Sequence, residues 1–210
     1  MIAVRPSHLL LIALLSCALP ALADDLGHGK ALFSACSSCH GEQAQGNPAF
    51  AAPVLAGQQQ SYLIRQLGNF KSGLRGSNPA DSAGAQMQAM AATLGDEQAI
   101  ADLSAYLTSL PPPAIKPSLS GNTALGSRLY QAKCGACHGG QAEGNLAMNS
   151  PRLRQQLDSY LLLQVNHFKQ GIRGSAPGDR YGKQMKMMAA TVNDQELLDV
   201  LAHISSLPQP

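Results

Sequence analysis

Tryptophan is missing from this 210-residue chain, and aromatic residues together make up only 4% of it. So few rings leave little bulky volume for a core, although 45% of residues are hydrophobic and the length suffices for one or two domains. Charge is scarce as well: 13% of residues are Asp, Glu, Lys or Arg, and the formal net charge is +2. That balance argues against a nucleic-acid partner and against strong attraction to an anionic membrane. The apolar run from Leu9 to Leu19 is too short to span a bilayer comfortably. There are five cysteines, too sparse and too specifically placed for a disulfide-stapled domain.

What is present starts with that placement. Four of the five cysteines fall in two stretches, Cys36-Ser37-Ser38-Cys39-His40 and Cys134-Gly135-Ala136-Cys137-His138. A lone Cys-x-x-Cys serves as a redox dithiol or half a zinc site. The following histidine points elsewhere, to covalent haem attachment. Two thiols on one turn form thioethers to the two vinyl groups of a haem, and the adjacent imidazole reaches the iron. Cys36, Cys39, Cys134 and Cys137 are therefore read as attachment points for two haem c groups, with His40 and His138 as proximal ligands. Haem would also supply the missing apolar volume, and its propionates would shift the mature protein toward neutral or negative charge.

Residues 1–23 read as an export signal. Arg5 gives the basic n-region, Leu9 to Leu19 the apolar h-region, and Ala21-Leu22-Ala23 the small-residue site before cleavage after Ala23. A retained anchor, or a lipoprotein cut before Cys17, are the competing readings. Export implies the periplasm; a loose membrane association stays open.

Sliding the sequence by 98 positions superposes it on itself: Cys36 falls on Cys134, Tyr62 on Tyr160, Gln66 on Gln164, Arg75 on Arg173, and Met87 and Met90 on Met185 and Met188. The register drifts by one near the end, where Ala99 reads as an insertion. The Pro-rich stretch 111–121 separates the copies, giving an N-terminal domain at 24–110 and a C-terminal domain at 122–210. Each copy reads as all-α. Helices are expected over 26–35, 59–71 and from Asp96 onward, and again over 123–132, 157–169 and from Asp194. Between the second and last of these, a polar loop (75–86 and 173–184) is expected to end in the methionines.

The far side of each iron decides the chemistry. A haem held by His alone binds small molecules or handles peroxide, whereas His plus Met mainly moves electrons. Met87 and Met185 are candidates, with Met90 and Met188 as rivals that spacing alone does not eliminate; ordinary core packing is the bland alternative. His28, His167 and His203 do not recur in the other copy and read as structural histidines. Arg75 and Arg173 suit haem propionates or a solvated loop equally. Tyr62 and Tyr160 suit a propionate or simple packing, and Lys71 and Lys169 face solvent.

Over essentially the whole mature sequence the chain resembles the dihaem cytochrome c4 family, tandem class I cytochromes c. The resemblance rests on the Cys-x-x-Cys-His-Gly motif, Pro53 to Gln58, Tyr62 to Leu67, Phe70 to Arg75, Met-x-x-Met-Ala and the closing helix. It implies Met87 and Met185 as the axial sulfurs, and Pro53 and Pro151 as carbonyl acceptors for the proximal imidazoles. It also implies two domains facing across a pseudo-twofold relation, with haem propionate edges close together. The second copy has Leu-Arg-Gln-Gln for Leu-Ala-Gly-Gln, so its turn is expected to differ.

The resulting expectation is an electron-transfer protein, not an enzyme. By resemblance it accepts electrons from the cytochrome bc1 branch or another donor and passes them to a terminal haem–copper oxidase. The alternative is the cytochrome subunit of a periplasmic dehydrogenase, such as a flavocytochrome c sulfide dehydrogenase. A dihaem peroxidase or a ligand-binding sensor would need an open iron face, which paired methionines oppose.

Overall fold

Asp25 opens the first helix by accepting hydrogen bonds from the N–H groups of Gly27 and His28 at 2.8 and 3.0 Å. The computed structural model describes Met1 and residues 25–208; the export-signal reading and Cys17 lie outside the described residues. The first domain contains α1 (Leu26–Phe33), α2 (Ser37–His40), a 3-10 turn (Pro48–Phe50), α3 (Gln60–Lys71), α4 (Ser82–Ala92) and α5 (Glu97–Ser109). The second repeats them as α6 (Thr123–Lys133), α7 (Gly135–His138), α8 (Asp158–Lys169), α9 (Arg180–Ala189) and α10 (Asp194–Ser206). Two isolated bridges are the only β pairing among the described residues. The all-α expectation holds.

In each domain the first helix crosses the last, and a glycine makes the crossing close. A Cβ on Gly29 would overlap the carbonyl of Asp102, and one on Gly126 that of Asp199. The same aspartates tie down the chain entering each first helix: Asp25 N–H donates to Asp102 at 2.9 Å, Asn122 N–H to Asp199 at 2.8 Å. His28 is spent here too, donating through Nδ1 to Asp102 at 2.7 Å. Leu63, Leu94, Ile100, Leu103 and Leu107 build the first core; Leu161, Leu197, Val200, Leu201 and Ile204 build the second.

These crossings locate the register changes. Gly29 matches Gly126, and Asp102 matches Asp199, at an offset of 97 rather than 98. The second copy has one more residue between Tyr130 and Cys134 than the first has between Phe33 and Cys36. The first copy regains it at Gly95, in the turn before α5, because Asp96 and Asn193 cap equal 13-residue helices. The extra residue is thus in the turn and not at Ala99, inside the helix. That turn also claims Lys71, read from sequence as solvent-facing: its Nζ donates to the carbonyls of Leu94, at 2.7 Å, and Gly95. Lys169 pairs with Asp194 at 2.6 Å.

The connecting stretch 111–121 forms neither helix nor strand. It is docked rather than free, with Ile115 against the first core and Leu119 against the second. Ser118 and Leu119 donate their N–H groups to Asp158 at 2.7 and 2.9 Å.

Candidate functional site

Each Cys-x-x-Cys-His motif is wound into a single helical turn. The His40 and His138 N–H groups each bond back to the carbonyl of the first cysteine at 3.0 Å, and Gly41 and Gly139, at φ of 80° and 84°, let the chain turn away. Both imidazoles are buried, and their Nδ1–H groups donate to backbone carbonyls: His40 to Pro53 at 3.0 Å, His138 to Pro151 at 2.9 Å. This bond fixes the tautomer and leaves Nε2 with a free lone pair. Burial pushes both imidazoles below their ordinary pKa, which keeps them neutral. Among the described residues no disulfide joins the four motif cysteines, which leaves all four sulfurs available for thioethers.

In the second domain Cys134, Cys137, His138 and Met185 line one cleft, of about 1490 Å³ including its open mouth. Leu153, Leu161, Phe168, Val200 and Ile204 form its apolar wall. A thiol pair, a neutral imidazole and a thioether around one apolar cleft fit haem c as a donor set.

The methionines sit differently from the sequence expectation. The loop closes early, because Asp81 and Asp179 cap α4 and α9 by accepting from Gly84 and Gly182 N–H, both at 2.8 Å. Met87, Met90, Met185 and Met188 therefore ride on helices instead of ending a loop. Met185 and Met188 are three apart on one face of α9 and both line the cleft. They differ in depth: Met185 and Met87 are half-buried, whereas Met188 and Met90 are 41% and 39% exposed.

The repeated polar residues meet across the domain boundary in a twofold pattern. Arg75 donates to the Tyr160 hydroxyl and to Gln164 Oε1, both at 2.9 Å, and to Gln66 of its own domain at 2.9 Å. Arg173 answers with Tyr62 at 3.3 Å, Gln66 at 2.8 Å and Gln164 at 2.7 Å. Each guanidinium also lies over a ring of its own domain, Arg75 over Phe70 at 4.4 Å and Arg173 over Phe168 at 4.6 Å. A solvated-loop reading of Arg75 is excluded, since it is buried. Arg75, Arg173, Tyr62 and Tyr160 all line the second cleft, and Arg75 Nε is buried without a partner. An orphaned cationic donor there suits an anionic haem edge.

Sequence reasoning missed several residues. Gln58 and Gln156 cross the boundary to the backbone of Arg152 and Val54. Asp81 and Asp179 recur at the haem-to-haem offset, a signal that would have placed the helix starts. Arg65 also crosses, and its non-recurrence is visible in the repeat. His167, read from sequence as a structural histidine, is buried beside Asp81, 3.8 Å away.

The model of the cytochrome c family matches residues 27–111 and 123–208. Cytochrome c4 of Azotobacter vinelandii is 32% identical over 194 residues, covering 86% of this chain and 87% of the relative. A thiosulfate dehydrogenase electron acceptor of Stutzerimonas stutzeri is 34% identical over 185 residues, covering 83% and 80%. The crystal structure of reduced recombinant cytochrome c4 from Pseudomonas stutzeri superposes with a TM-score of 0.68 at 27% identity, over 89% of this chain and all (100%) of that one.

Proposed function

This chain belongs to the cytochrome c4 family, an electron-transfer protein of two cytochrome c domains with two covalent haem c groups, and we propose that it works in the periplasm, relaying electrons in a respiratory chain to a terminal haem–copper oxidase. Bound haem supplies a one-electron ferrous–ferric couple. The protein's residues do the rest. Cys36, Cys39, Cys134 and Cys137 anchor the groups through their sulfurs. His40 and His138 present Nε2, held in place by Pro53 and Pro151. Met87 and Met185, the deeper of each methionine pair, offer a thioether that favours the reduced iron and fills the position a reactant would need. Arg75, Arg173, Tyr62 and Tyr160 sit where the domains meet and would hold the haem propionates there. The export signal read at residues 1–23 supports the periplasmic placement.

The observation that carries this reading is the pair of imidazoles whose Nδ1–H groups are already committed to backbone carbonyls, each in a domain that also offers a half-buried methionine. The test is the ferric optical spectrum of the purified protein, in which the weak sulfur-to-iron band is quantified per haem. Two bands' worth of intensity is expected, half of it lost in Met87→Ala and half in Met185→Ala. Retention of the full band in those variants, with loss in Met90→Ala or Met188→Ala, would reassign the ligands.

The likeness to a thiosulfate dehydrogenase electron acceptor favours a specific donor side: a periplasmic dehydrogenase that oxidises a reduced sulfur compound and hands over single electrons. Stopped-flow reduction by such an enzyme, compared with reduction by a cytochrome bc1 complex, separates the two donors.

A further inference from the structure

Arg65 breaks the twofold. The repeat places Leu163 at the matching position, and the groups that hold Arg65 also lack counterparts: Asn149 corresponds to Ala51, and Tyr181 to Ala83. From α3 of the first domain the side chain crosses the boundary. Its Nη2 donates to the Asn149 carbonyl at 2.6 Å and its Nη1 to Asn149 Oδ1 at 3.4 Å. The guanidinium lies 4.7 Å from the centre of the Tyr181 ring and 5.4 Å from that of Tyr62. It thereby joins the lining of the second cleft, the one that holds His138 and Met185. Its Nε is buried without a hydrogen-bond partner. Among the described residues no carboxylate forms an ion pair with it.

A cation fixed beside a largely apolar cleft, with no carboxylate in ion-pair contact, favours whichever state of a nearby redox centre carries less positive charge. Reduction of ferric to ferrous iron removes one positive charge, so net local charge is one of the levers that set a haem potential. At the mirrored position the repeat has the aliphatic Leu163. We propose that Arg65, though encoded in the first domain, belongs to the second haem's site and raises that haem's reduction potential. This rests on the two-haem, Met-ligated reading above.

The experiment compares the full-length holoprotein with Arg65→Met, which keeps a long stem without charge, and Arg65→Lys, which keeps the charge. Potentiometric titration is followed by NMR of the haem methyls, each assigned by its contacts to its own domain. The equilibrium constant for moving an electron from first to second haem is expected to fall about tenfold in Arg65→Met, equivalent to ~59 mV for a one-electron couple. The drop comes from the second haem, and Arg65→Lys retains most of the wild-type value. Equal shifts at both haems, or no shift in a fully loaded Arg65→Met protein, overturn the assignment. Should Arg65→Met loosen the domains, Leu163→Arg gives an independent answer: it should raise the first haem's potential, and no rise counts against the proposal. A wild-type protein lacking two Met-ligated haems would instead overturn the reading beneath it.

Discussion

The carboxamide of Gln156 is paired with the backbone of Val54: Nε2–H donates to the Val54 carbonyl at 2.9 Å, and Val54 N–H donates to Oε1 at 2.8 Å. Gln58 forms the mirrored pair with Arg152, at 3.0 and 3.1 Å. Both glutamines and Val54 are buried. Truncating Gln156 to Ala strands a buried donor and acceptor on Val54, at a cost on the order of 2 kcal/mol. In the double variant Gln58→Ala/Gln156→Ala, calorimetry of the holoprotein is expected to resolve two unfolding transitions, one per domain. A single transition at the wild-type temperature would mean that the glutamines do not couple the halves.

Gln155 occupies the left-handed region at φ 61°, the place taken in the first copy by Gly57 at φ 67°. The turn is therefore the same in both domains despite the altered sequence, contrary to the expectation that it would differ. A side chain there is strained by about 1–2 kcal/mol, and both amide atoms of Gln155 are buried without partners. Gln155→Gly is expected to stabilise the protein by about 1 kcal/mol after the entropy lost by glycine. Denaturant titration checks it; a lower midpoint would show that Gln155 contributes more than its strain costs.

Gly126 and Gly29 face backbone across the crossing of first and last helices. Neither carbonyl beneath them can swing aside as a side chain would. Alanine at either position should force the helices apart, costing about 1–3 kcal/mol. Thermal melts of Gly126→Ala and Gly29→Ala, with covalent haem content measured alongside, distinguish this from a defect in attachment.

His167 is buried among Asp81, Arg75 and Arg173, its Nδ1 3.8 Å from Asp81 and without a hydrogen bond. Burial is the main force pushing its pKa below the ordinary 6.5; the two arginines add to it and Asp81 opposes. The unfolded chain therefore takes up this proton more readily than the folded one, so stability falls as the pH drops below that ordinary value. Asp102 and Asp158 behave differently. Hydrogen bonds from Asp25 N–H and His28 hold Asp102 below the carboxylate range, and those from Ser118 and Leu119 outweigh burial at Asp158. Their contribution is lost only as the pH falls through those depressed values. His167→Asn, which installs the residue found at position 69, should flatten the loss of stability between about pH 7 and about pH 5. An unchanged slope in denaturant unfolding across that window would remove His167 from the account.

Much of the candidate site was legible because covalent chemistry fixes it locally. A thiol pair and an imidazole within five residues have one strong reading, and a second copy at a constant offset removes most alternatives. Helix positions followed from apolar spacing for α3 and α8. The methionine helices were misplaced as loop ends because Gly and Ser dominate that stretch, while the Asp81 and Asp179 caps act through a single hydrogen bond each. Arg75 and Tyr160 were flagged as repeated residues, yet nothing in a linear repeat says that each pairs with the other domain's copy.

By itself the sequence determined the two attachment motifs, the duplication and the all-helical character, since each is written in residues close along the chain. Only the tertiary structure decided how the halves meet: which guanidinium finds which hydroxyl, that Gln58 and Gln156 pair with backbone, and that Arg65 serves the neighbouring cleft. The physical reason is distance along the chain. Those bonds join residues 84 to 111 positions apart, and local spacing carries no information about which partner the folded backbone will bring within three ångströms or so.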